Sequence, residues 1–228
     1  HLSFTAGSNY TATDGNKTVT HAEKTVREYV SGAYFKITES FVLPSDYSGL
    51  GNTPNNQESV FRGVIIGENN TITLTGNKPF IYASYGSVVK DLNIVVANDV
   101  TMTNCNTDLT FNYNSNGDKT YGAVMGMVLG GDNIIDHVAV NFGSSKIKVR
   151  TSGNDNGNKL MPIGGYVGVA EKGSLIFRNM NKVPAADRQG LKANTVVDYK
   201  MTASVVDDKL VSSENIEWLY VNPIVGRV

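Results

Sequence analysis

Four segments of this chain repeat one grammar: a glycine-spaced apolar strand, a short polar turn, and a second strand rich in β-branched residues. They are Val60–Gly67 with Thr71–Leu74, Phe80–Gly86 with Val88–Val96, Tyr121–Val128 with Ile134–Val140, and Ile163–Val169 with Ser174–Met180; a fifth opens at Pro223–Val228. One such unit is too small to bury its own apolar face and has to stack on a neighbour to do so. The repetition therefore predicts an all-β chain, folded as a right-handed parallel β-helix whose equivalent backbone levels lie about 4.8 Å apart.

The glycines and asparagines fit the corners of such a stack. A corner needs a positive φ or a close backbone approach, which glycine meets at least cost and asparagine tolerates. The pairs Asn69-Asn70 and Asp132-Asn133, together with Asn179, are expected there. Alternation in Asp91-Leu92-Asn93-Ile94-Val95 and in Asp136-His137-Val138-Ala139-Val140 predicts a dry interior and a polar outer face.

Ahead of the stacked units, Thr20-His21-Ala22-Glu23 reads as a capping box with Val19 as its staple. It predicts a short helix over 21–30, stopped by Ser31-Gly32. Strands follow at Tyr34–Thr38 and Phe41–Leu43, so residues 1–43 form a leader or cap and 44–228 the stacked part. Segments 98–119, 144–160 and 181–220 are long flank insertions with strand candidates Leu109–Phe111, Ile147–Val149 and Val196–Tyr199. His1-Leu2-Ser3-Phe4 lacks the regions of a signal peptide, which suggests a mature chain or an excised piece, and Val228 interrupts a new unit, which predicts further coils or domains of the same polypeptide.

Composition narrows the partners. Twenty basic residues against 21 acidic ones give a net charge of -1, without a dense basic run, so nucleic acid is not expected. No apolar run approaches the ~18 residues that span a bilayer. Cys105 is the only cysteine, which excludes an internal disulfide and any cysteine-built zinc site. Its default role is that of a small loop or buried thiol.

Gly164-Gly165-Tyr166-Val167-Gly168 resembles the GLUG repeat of large bacterial surface proteins, and Gly122-Ala123-Val124-Met125-Gly126 looks like a degenerate copy. Phe61–Ile72 is similar to the coil that opens such repeats. The resemblance covers most of residues 18–180 and implies a β-helical stalk or adhesin segment, extracellular or on a bacterial cell surface. Here the insertions are long and only one copy of the motif is clean.

Parallel β-helices also host glycan-cleaving enzymes, which need carboxylates converging on one groove, sometimes with calcium. The residues that would serve are Asp91, Asp132, Asp136 and His137. Asp91 and Asp136 hold comparable places at the start of the second strand, so stacking would bring them together and invite a cation. Against this stands the plainer reading that they are solvated residues beside turns. No GxSxG, P-loop, HExxH or EF-hand pattern occurs, and no cofactor is implied. Tyr47 and Tyr113 are the loop aromatics placed to stack on a sugar, while Trp218 and Tyr220 read as packing between layers. The sequence thus predicts a non-enzymatic structural or adhesive module contacting a host or matrix glycan or protein. The alternatives are a polysaccharide lyase or glycoside hydrolase, and a carbohydrate-binding module without turnover.

Overall fold

The computed structural model describes residues 10–14, 17–21, 33–51, 60–102, 111, 119–149, 160–183, 197–199, 203–206, 209–212 and 218–228. In chain order the strands are β1 (Tyr10–Asp14), β2 (Lys17–His21), β3 (Tyr34–Lys36), β4 (Phe41–Leu43), β5 (Val64–Ile66), β6 (Thr71–Leu74), β7 (Ile81–Ser84), β8 (Val88–Val96) and β9 (Val100–Met102). They continue as β10 (Met125–Asn141), β11 (Ile147–Val149), β12 (Leu160–Gly164), β13 (Val167–Arg178), β14 (Val197–Tyr199), β15 (Ala203–Val206), β16 (Lys209–Ser212), β17 (Trp218–Asn222) and β18 (Val225–Arg227). The described residues form an all-β structure whose helical content is the 3-10 turn Met180–Lys182 and a 3-10 residue at Lys119. The helix forecast over 21–30 fails at its first residue: His21 ends β2, opposite Tyr10, and 22–30 lie outside the described residues.

Most pairing is parallel. The largest sheet runs in the order β18-β13-β10-β8-β5-β3, and β9, β11 and β14 form another parallel sheet, as do β12 and β17. Among the described residues only the hairpins β1–β2 and β15–β16 are antiparallel. Register is kept across layers, with Val64 opposite Val88, Val88 opposite Ile134 and Ile134 opposite Ile176. The turns expected at 130–133 and 171–173 do not interrupt their strands, because β10 and β13 run through them as one bent ladder with register shifts between Val128 and Asp132.

Two kinds of bend recur at matching levels. One is built on glycine: Gly86, Gly131 and Gly173 have φ of 65°, 65° and 86°. A Cβ on Gly131 would lie 2.7 Å from the Gly86 nitrogen, and one on Gly173 would lie 2.7 Å from the Gly131 nitrogen. Any side chain there would push successive layers apart as well as strain φ. The other bend is built on Asn69, Asp91, His137 and Asn179, with φ of 62°, 50°, 53° and 52°. These are the three non-glycine types that enter the left-handed region most readily.

The interior is apolar and closely packed. Ile72, Leu74, Leu92, Ile94, Val138 and Val140 are buried on the neighbouring strands β6, β8 and β10, and the Tyr166 hydroxyl donates to the Val138 carbonyl at 3.2 Å. Each fully buried side chain of this size contributes roughly 1.5–3 kcal/mol relative to exposure. Asn133, expected at a corner, follows the Gly131 bend and donates to its carbonyl at 3.2 Å, but is wholly buried and ties three layers together. Its Oδ1 accepts from Ser84 Oγ at 2.6 Å and the Ser87 amide at 3.2 Å, while its Nδ2 donates to the Gly130 and Ser174 carbonyls at 2.8 and 3.2 Å. Ser84 and Ser87 also share a short hydroxyl contact.

Two features depart from a dry interior with a polar outer face. The segment containing β7, the first half of β10 and the start of β13 is buried on both faces, since Val60, Phe111 and Leu160 pack over Tyr82, Met127 and Val169. On the next face, Val64, Val88, Ile134 and Ile176 point outward as a half-buried aliphatic column.

Two substitutions probe this packing. Gly173→Ala is expected to lose about 2 kcal/mol or more in denaturant unfolding, from left-handed strain plus the clash with Gly131. Tyr121 is fully buried with a hydroxyl that has no hydrogen-bond partner among the described residues, and burial pushes its acidity down. Tyr121→Phe removes that uncompensated group and is expected to gain about 1 kcal/mol in the same assay.

Candidate functional site

The left-handed bend carries most of the residues singled out by sequence. β10 runs from Asp136 opposite Lys90 to Val138 opposite Leu92, which sets His137 beside Asp91. His137 Nδ1 lies 2.8 Å from Asp91 Oδ1, with both side chains a little over a quarter exposed. Lys90 Nζ stands 3.6 Å from the other Asp91 oxygen. A carboxylate bonded to Nδ1 fixes the imidazole's orientation and leaves Nε2 as its outward nitrogen.

The two carboxylates expected to stack do not. Asp91 and Asp136 differ by one register position, so each meets a residue of another kind. Asp136 lies opposite Lys90 on one side and Arg178 on the other, and its Oδ1 accepts from Asn179 Nδ2 at 2.6 Å. Asp132 is separated from this group by a turn of strand; it sits opposite Ser174, whose hydroxyl donates to it at 2.7 Å. The cause is that His137 and Asp91 both occupy the bend, which shifts the comparison of the two strands by one residue. Among the described residues, no group of three or more His, Cys, Asp and Glu side chains is arranged to hold a metal ion.

Asp91 and His137 also hold backbone strain of order 1–2 kcal/mol each. Their charge-assisted contact offsets part of it. The neighbouring bends are fastened by amides: the Asn69 amide donates to the Asp91 carbonyl at 2.6 Å, and Asn93 Nδ2 donates to the Asn69 carbonyl at 2.7 Å.

Of the aromatic candidates, Tyr47 is half-buried, and its hydroxyl donates to the Phe80 carbonyl at 2.7 Å. Burial pushes its acidity down. Tyr47 thus anchors its loop to the strand below instead of offering a free hydroxyl. Tyr113 and Cys105 lie outside the described residues. Tyr220 is on the surface at 37 % exposure, opposite Pro162, not between layers; Trp218 lies opposite Leu160. Among the described residues no helix is long and apolar enough to cross a membrane.

Sequence reasoning missed Arg178, and it placed Asn179 at a corner, where its φ is 52°, without giving it a part in the site. Their signal was the spacing itself, because aligning the units at the left-handed residue places Asn179 with His137 and Asp91.

If the bend is set by backbone conformation, His137→Asn is expected to stay within about 0.5 kcal/mol of the parent, whereas the β-branched His137→Val is expected to lose about 1–3 kcal/mol. A double-mutant cycle with Asp91→Ala and His137→Ala should give a coupling no larger than about 1 kcal/mol, as for exposed pairs. Chemical denaturation with matched slopes checks both.

Compared with known proteins, the chain matches no family model, no curated protein and no solved structure.

Proposed function

We propose that this chain is a non-enzymatic structural or adhesive module of a secreted or surface-displayed bacterial protein, built as a right-handed parallel β-helix. The observation that carries this is the in-register parallel stacking of successive passes, with glycine bends on glycine bends and left-handed bends on left-handed bends. Such a stack is stiff along its axis and tolerates insertions on its flank. The glycine motif fits the same architecture: Gly126, Gly168 and Gly226 share one level, and a Cβ on Gly168 would come within 2.6 Å of the Gly126 carbonyl. The GLUG-like spacing thus has a mechanical meaning, a close approach of backbones between neighbouring parallel strands. Single-cysteine composition agrees with bacterial export.

Asp91, Asp132 and Asp136 each have their own protein partner. That arrangement favours adhesion over hydrolysis. The Asp91–His137 contact is the one feature that favours carbohydrate cleavage as a second reading.

Beads coated with the protein and passed over immobilised mucin, collagen, fibronectin and plant or bacterial polysaccharides test both. Retention on at least one surface, without release of reducing ends or unsaturated sugars, is the expected result. Sugar release would establish an enzyme, and failure to be retained anywhere would remove the adhesive role.

A further inference from the structure

The outward face between the two bends carries two rows side by side, both running across the strands along the stacking direction. Val88, Ile134 and Ile176 make an aliphatic row, and two residues further along each strand Lys90, Asp136 and Arg178 make a polar one. Neighbouring members of a row sit about 4.8 Å apart, close to the length of one pyranose unit. We propose that this face binds an uncharged, hydroxyl-rich polysaccharide laid along the stack. The inference rests on the adhesive reading above and names the ligand class and the surface.

Three observations support it. First, the polar row alternates in charge, positive, negative, positive, and the bend beside it holds Asp91 against His137. Acids and bases balance closely, which gives a polyanion or polycation little net attraction. Second, donors and acceptors alternate at the spacing of the layers: Arg178 and Lys90 donate, Asp136 accepts, and Asn179 offers both. A sugar hydroxyl is itself donor and acceptor and can bridge such neighbours. Among the described residues Arg178 has no ion-pair partner, so its guanidinium is available to a ligand. Third, the aliphatic row is half-buried where an ordinary outer sheet face would be polar. The C–H faces of a sugar ring provide apolar cover while its hydroxyl edge meets the polar row.

The bend contributes rigidity. With Nδ1 held by Asp91, His137 presents a fixed Nε2, and Asn179 is tethered to Asp136. Side chains already ordered lose less entropy when a ligand arrives.

Affinity electrophoresis in gels containing xylan, mannan or galactan, with polygalacturonate as the charged comparison, tests the proposal on the full chain. At least one neutral polymer is expected to retard the protein more than polygalacturonate does. Arg178→Ala and Asp136→Asn should each weaken retardation about tenfold, the loss of one charge-assisted bond. Ile134→Ser should weaken it through the apolar row, while Thr73→Ala on another face should not. Melting curves confirm that the variants fold, and Arg178→Gln replaces Arg178→Ala if the latter does not. Retardation that survives all three substitutions would place the ligand elsewhere and leave the adhesive reading intact. Preference for polygalacturonate, or no retardation by any neutral polymer, overturns the proposal; retention on mucin, collagen or fibronectin then still decides the adhesive reading separately.

Discussion

Parallel hydrogen bonding between successive passes, held in one register, is the constraint on which the rest of this structure depends. A strand that slips by one residue turns its whole apolar set outward. Ile65, Val89 and Ile135 are buried only because Val64, Val88 and Ile134 are aligned and point the other way. The bulged stretch between Val128 and Asp132 absorbs the mismatch between β10 and β13, so that alignment resumes from Asp132 opposite Ser174 onward. Closing a loop costs only about 0.6 kcal/mol more for each doubling of its length. Long insertions between aligned levels are therefore cheap beside the burial they leave undisturbed.

The two bends solve one problem by different chemistry. Where layers press backbone on backbone, at Gly131 and Gly173, no side chain fits, and at Gly86 the positive φ alone favours glycine. Where the bend faces solvent, at Asn69, Asp91, His137 and Asn179, side chains fit, and they repay part of the strain by bonding between layers. The glycine bend therefore supplies shape alone, whereas the other also carries polar side chains at fixed intervals. The third turn, toward β9 and β11, is fastened differently again. Asp99 accepts from Lys148 Nζ at 2.6 Å and from the Lys146 amide at 2.8 Å, and these contacts, Lys148 foremost, hold its carboxyl below the ordinary range.

Strand positions were legible in the sequence because runs rich in β-branched residues such as Thr71–Leu74 and Val88–Val96 have a glycine or asparagine close to each end. The glycine positions were legible for the same reason. Register was not. The comparison of Asp91 with Asp136 counted from the strand start, whereas stacking counts from the bend, and a difference of one residue separates a carboxylate pair from a carboxylate–imidazole pair. The place of Asn133 beside a bend was legible but its burial was not; only the tertiary structure supplies the buried carbonyls and hydroxyl that make an interior site favourable. The burial of β7 and β10 on both faces was hidden as well, since it depends on Val60, Phe111 and Leu160 returning from distant segments.

Register also bears on what the exposed face can do. A pair of catalytic acids needs two carboxylates on one column or facing columns, free of other partners. In the column through Asp136 the neighbours are Lys90 and Arg178, an order that stabilises the stack because unlike charges on adjacent strands attract and like charges repel. The arrangement that favours folding thus works against a carboxylate dyad. What remains is an array of opposed charges and amides beside an aliphatic row; for the polysaccharide proposed above, each contact with it would be weak and their number would grow with each added layer. Affinity on such a face comes from length, which a stack of layers supplies and a single catalytic groove does not.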